Sequence, residues 1–196
     1  MPSHTKAMQL PNLTPKSALI NFLSEPKSKQ EITDFALMAK DGKINVKDLL
    51  TLNFHKNEQV AFRSSWILEN VFLNYPSLFI PYTNYFLEKF FLQKNLSCCR
   101  HYGKILALMT EKNASKELKE IIQNTNTKPL VEIVFSWLID EKMPVAVKSH
   151  CLNILANLTA KHSWIKEELL ETMDFLVDKE SIAFYAKVKQ IKKQLK

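Results

Sequence analysis

The spacing of apolar residues predicts a succession of helices and no convincing strand. Residues 57–75, NEQVAFRSSWILENVFLNY, are the most informative stretch. At about 100° per residue, Val60, Ile67, Leu68, Val71 and Tyr75 share one sector with Ser64, while Phe62, Trp66 and Leu73 form a second stripe. Arg63, Asn70 and Asn74 make a polar strip between the two. A surface helix needs only one apolar stripe, so two stripes call for a neighbour on each side. Helices covered on both sides occur in stacked arrays. Pro76 ends this helix, because the residue before a proline is biased away from the α region.

Other start and stop signals divide the remaining chain. Thr14-Pro15 is an N-cap with proline at the first helical position, and that helix runs to about Ser24. A second helix begins near Ser28, carries Ile32, Phe35, Ala36 and Ala39 on one side, and ends at Gly42. Asn45 caps a short third helix containing Val46, Leu49, Leu50 and Leu52. Beyond Pro76, residues 78–93 predict one helix dense in Phe and Tyr. Asn95 or Ser97 opens the next, Ser115 a short amphipathic piece, and Thr127 or Lys128 with Pro129 another. Pro144, Ser163 and Ser181 start the last three, making about eleven helices. Residues 1–13 read as a flexible tail and 14–196 as a single helical-repeat domain.

Internal echoes support a repeated unit. Val60-Ala61-Phe62-Arg63-Ser64 recurs as Val145-Ala146-Val147-Lys148-Ser149, and Cys98-Cys99-Arg100-His101 is a fainter copy in which Arg100 matches Arg63. On these residues the chain resembles the ARM/HEAT family of α-α superhelices, over roughly residues 28–196. It looks closest to short bacterial HEAT-like proteins, including relatives of the alkylpurine DNA glycosylases. The turns between repeats lack the regular Asp-Pro of the strict pattern. The resemblance implies an all-α fold of stacked antiparallel helix pairs in a short right-handed superhelix, with a concave surface open to a partner.

Composition narrows the functions. The 196 residues contain only two glycines, Gly42 and Gly103, so no glycine-rich phosphate loop or dinucleotide fingerprint is present. Asp41-Gly42 follows a helical pattern and reads as a helix C-cap, not a hairpin turn. Three cysteines, two of them adjacent, make a poor disulfide framework and point to a reducing compartment. The N-terminal stretch has no apolar run of a secretory signal, and the aromatic region near residues 78–92 is interrupted by Pro81, Asn84, Glu88 and Lys89. A cytoplasmic protein is expected. Net charge is +7, of which +4 comes from residues 178–196, where six lysines face Asp178 and Glu180.

Four cations are the candidate partner-binding residues: Arg63, Arg100, Lys104 and Lys148. At repeated positions they would form a basic row able to bind acidic peptides or phosphates, unless each pairs within the stack. Cys98 with His101, and His150 with Cys151, offer metal-ligand types, but adjacent helical residues diverge by about 100° and do not face one ion together. Cys99 with His101 lacks a third group to orient the imidazole as a nucleophile's base. Trp66, Trp137, Trp164 and Glu69 are the residue types a base-excision cleft would use. Met143-Pro144 with Lys148 and Asn153 is a faint echo of the adenylosuccinate lyase loop, without that motif's serines and glycines. No catalytic, metal or cofactor site is therefore expected. The expected function is non-catalytic recognition of a protein or peptide on the concave face. A nucleic-acid-binding module, with or without base excision, is the alternative.

Overall fold

The row that organises the molecule consists of the second helices of successive pairs. In the computed structural model, which describes residues 15–196, these are α4 (Glu58–Asn74), α7 (Leu96–Met109), α10 (Val145–Leu158) and α12 (Ile182–Gln194), each packed on the next. The tail expected over residues 1–13 and the Thr14 cap lie outside the described residues. A second layer covers one side of the row. It contains α2 (Lys29–Lys40) and α3 (Val46–Leu52) on α4, α5 (Pro76–Phe79) also on α4, and α9 (Lys128–Ile139) and α11 (Ile165–Leu176) on α10. Helix α1 (Pro15–Ser24) closes the row beside α4, and the short α8 (Lys116–Asn124) touches α7 and α6 (Thr83–Phe90). All regular structure among the described residues is helical, as the sequence predicts.

Local chemistry explains most boundaries. Ser28 and Glu31 form a reciprocal capping box at the start of α2. Its end is a Schellman closure: the Gly42 N–H donates to Ala39 O and the Lys43 N–H to Met38 O. Gly42 takes φ 71°, a conformation that costs a residue with a Cβ. Asn45, Ser115 and Ser181 cap their helices as expected, Asn95 and not Ser97 caps α7, and Asn57, placed within the helix by the sequence pattern, is the cap of α4.

Two boundaries differ from the sequence reading. The single helix expected over 78–93 is divided into α5, a 3₁₀ turn at Ile80–Tyr82, and α6. Pro81 has no N–H to donate to an α-helical ladder, so the turn around it closes as a 3₁₀ turn although Ile80 itself keeps α geometry. Ser163 does not cap α11. The cap position is Trp164, without a side-chain bond, and the chain arrives through tight turns from Ile165 N–H to His162 O and from Lys166 N–H to Ser163 O.

The first apolar stripe of α4 is core: Val60, Ser64, Ile67, Leu68 and Val71 are all fully buried, and Tyr75, at the C-cap, is half-buried. The Ser64 hydroxyl is satisfied by donating to Leu49 O at 2.8 Å. Among the described residues, the second stripe is not covered by the companion layer that the sequence predicts. Phe62 and Trp66 are half-buried, and Leu73 is exposed. That side of α4 looks away from the covering layer, so its aromatic residues become a wall and not a core.

The buried set of α4 recurs along the row. Cys98, Tyr102, Ile105, Leu106 and Met109 occupy the same five positions in α7, and Val147, Cys151, Ile154, Leu155 and Leu158 occupy them in α10. In α12 the matching positions hold Phe184, Val188, Ile191, half-buried Lys192 and Leu195. This register places Arg63 level with His101, His150 and Lys187, one and two residues away from the alignment suggested by Arg100 and Lys148. Burial of apolar surface, and not the position of a charge, decides how a helix is rotated about its axis.

Arg63 is buried against the end of α1, where its guanidinium donates to Leu23 O at 2.6 Å and Ser24 O at 3.0 Å. Those carbonyls are the unsatisfied acceptors of a helix C-terminus. Arg63→Ala is expected to cost about 2–3 kcal/mol, because the buried carbonyls lose charge-assisted bonds. Urea unfolding should show that loss, and hydrogen exchange should show the largest protection decrease in α1. Gly103, where α7 meets α10, has space limited by the His150 Cβ, 3.2 Å from where its own Cβ would stand. Gly103→Ala is expected to destabilise by about 1 kcal/mol although alanine is the better helix former, since the helices must separate. A raised midpoint in the same urea titration would refute that expectation.

Candidate functional site

The open side of the row contains a cleft of about 410 Å³ lined by Phe62, Trp66 and Glu69 from α4, Arg100, His101 and Lys104 from α7, and His150 from α10. Spacings of three and four residues bring Phe62, Trp66 and Glu69 to one side of their helix, and Arg100 and Lys104 to one side of theirs. Glu69 organises the floor. One carboxylate oxygen meets His101 Nδ1 at 2.6 Å, and the other accepts from Lys104 Nζ at 2.6 Å. Burial works to raise the Glu69 carboxyl, but the hydrogen bonds from His101 and Lys104 outweigh it and hold it below the usual carboxylate range.

His101 is held by its Glu69 bond and by aromatic neighbours. Its ring lies 5.5 Å from Phe62 and 6.4 Å from Trp66, nearly parallel to the latter, and Phe62 and Trp66 stack on each other at 5.8 Å. The second nitrogen of His101, Nε2, is buried and has no hydrogen-bond partner among the described residues. Burial pushes His150 down to about 4, opposed by Glu69 and reinforced by Lys104, Arg100 and Lys187. His150 is therefore neutral near pH 7, beside exposed Arg100 and half-exposed Lys104.

The four cations singled out in the sequence separate into two groups. Arg100 and Lys104 line the cleft. Arg63 is spent on α1, and Lys148, 1% exposed, is ion-paired with Glu180 in the turn before α12. An ammonium this deep is tolerable only with its carboxylate alongside. The positions level with Arg63 in the register are His101 and His150, which the sequence reading treated only as possible metal or nucleophile partners. The five-position apolar repeat was the available signal for pairing them.

The thiols do not meet these imidazoles. Cys98 Sγ lies toward Asn53 O and Cys99 Sγ toward Gln93 O, and burial raises them to about 11 and about 12. Cys151 is fully buried, and burial raises it further. At such values the thiolate is scarce at pH 7. Among the described residues no group of three or more His, Cys, Asp or Glu converges as metal ligands. The tryptophans do not share a site either. Trp66 walls the cleft, Trp137 is in the core stacked on Phe90 at 4.7 Å, and Trp164 lies on Phe135 at the surface.

No helix among the described residues is long and apolar enough to cross a membrane. No curated protein and no solved structure matches the chain. A family model described as a HEAT repeat domain matches residues 19–195, which takes in every helix described above apart from the first turn of α1. The stacked pairs, the recurring buried set and this match agree: the chain belongs to the HEAT repeat family.

Proposed function

We propose that the protein is a non-catalytic helical-repeat scaffold, working in the cytoplasm, whose concave face is the open side of the α4–α7–α10–α12 row and binds an acidic peptide segment of a protein partner. The observation that carries this reading is the cleft itself. It combines an aromatic wall with two cations whose heads reach solvent, on a side of the row where, among the described residues, Phe62 and Trp66 are left half-buried. Clefts of a few hundred Å³ with apolar walls and few polar groups are the usual form of a recognition site. Free, buried thiols at Cys98, Cys99 and Cys151 support a reducing compartment.

The peptide is favoured over duplex DNA by the number of available cations. Burial of Arg63 and Lys148 leaves Arg100 and Lys104 as the cations lining the cleft. A duplex binder makes about 6–10 phosphate contacts and loses about 10³-fold or more in affinity between roughly 50 and 200 mM salt. A fluorescein-labelled, glutamate-rich peptide titrated into the protein is expected to bind, and an Arg100→Ala/Lys104→Gln variant to weaken it by about tenfold, or 1.4 kcal/mol. A DNA duplex measured alongside is expected to bind more weakly than the peptide. Steeply salt-dependent duplex binding without peptide binding would overturn the reading in favour of a nucleic-acid module.

A further inference from the structure

The cleft has a charge balance and a shape that a carboxylate does not use fully. Arg100 and Lys104 bring two positive charges, and Glu69 cancels one, with both of its oxygens already engaged. Lys187 of α12 adds to the field at His150, while Glu111 faces Lys187. A single carboxylate would neutralise the one charge left in excess among these lining residues and, with a single charge, would raise His150 less than a dianion does. A phosphate monoester carries about −1.5 to −2 and three strong acceptor oxygens, so it can engage the guanidinium, the ammonium and an imidazole N–H together. Arg100 and Lys104 stand one helical turn apart on α7, and His150 faces them from α10. Opposite them, Phe62 and Trp66 form an apolar wall with room for the group that carries the phosphate.

We propose that this cleft is a subsite for a phosphate monoester on an aromatic stem, borne by the acidic peptide, with Arg100, Lys104 and His150 on the phosphate and Phe62 and Trp66 against the stem. The proposal rests on the acidic-peptide reading above and specifies the chemistry of its anchor.

Proton uptake follows from the same geometry. Unliganded His150 is surrounded by Arg100 and Lys104 of α7, Lys187 of α12 and Glu69 of α4, and the desolvated imidazole stays neutral. An arriving dianion reverses that balance and raises the imidazole, so binding takes up a proton between the free and the bound pKa. Affinity therefore rises as pH falls through the bound pKa, and the gain would end below the free value of about 4. The ligand's own second ionisation, near 6, removes charge first and limits the rise to above about pH 6.

The test uses the full chain and a glutamate-rich peptide with one central phosphotyrosine, alongside its unphosphorylated twin and AMP. Calorimetry in two buffers of different ionisation enthalpy reads affinity and proton uptake, and imidazole NMR reads His150. The phosphorylated peptide is expected to bind about tenfold or more tightly than its twin near pH 6.5, with proton uptake and an upward shift of the His150 titration. Arg100→Gln, at an exposed position, should remove most of the difference without lowering the melting temperature. Equal affinity of the two peptides, absent proton uptake, or an unaffected Arg100→Gln variant would overturn the subsite while leaving the acidic-peptide reading in place. Binding of neither peptide would remove both. AMP binding more tightly than the phosphopeptide would overturn the peptide source.

Discussion

One repeated packing constraint holds the molecule together: five positions in each second helix of the row, spaced three, four and one residues apart, buried throughout α4, α7 and α10 and at four of the five in α12. The spacing follows the helical period, so each helix presents one stripe to the covering layer and to its neighbours along the row. In α4 the stripe begins at Val60, in α7 at Cys98, in α10 at Val147 and in α12 at Phe184. Every other feature follows from the rotation this imposes. It turns Arg63 and Lys148 inward, where each needs a specific partner, and turns Phe62, Trp66, Arg100 and Lys104 to the cleft.

The polar groups inside the stack show how that rotation is tolerated. Arg63 closes the end of α1 and Lys148 meets Glu180, while Lys161, exposed and beyond the end of α10, donates to the carbonyls of Ile122, Gln123 and Thr125 at the end of α8. Each cation does work that a helix C-terminus or a buried carboxylate requires. A basic overall charge therefore overstates the charge offered to a partner. Tyr102 illustrates the same economy in the core, where its hydroxyl accepts from the Asn53 amide while its ring packs, tilted, against Phe86.

The cleft differs from these internal pairs because its charges are only half satisfied. Glu69 fixes His101 and Lys104, but Arg100 remains exposed and His150 remains neutral by desolvation. Lys104 is already held by Glu69 beside the aromatic wall, so it loses little freedom in contacting a bound group. HEAT family membership supplies the scaffold, whereas these seven side chains supply the argument for what it holds.

Much of the fold was legible in the residues alone. Helical content, the starts near Ser28, Asn45, Asn95, Ser115 and Ser181 and the stop at Gly42 arise from local rules of period, capping and breaking, while the stacked-pair architecture is what the ARM/HEAT resemblance implies. Pro81 marks the break within residues 78–93, where the apolar pattern alone predicts one helix. The site was less legible. Matching Arg63 to Arg100 and Lys148 by residue type put the repeat out of step by one and two positions, since similar charges need not share a face. Local spacing can state which residues lie on one stripe of one helix. Only the packing of α4, α7 and α10 against one another decides which stripe is buried, which cation finds a carbonyl or carboxylate, and therefore that His101 and His150, and not Arg63 and Lys148, stand beside Arg100 and Lys104.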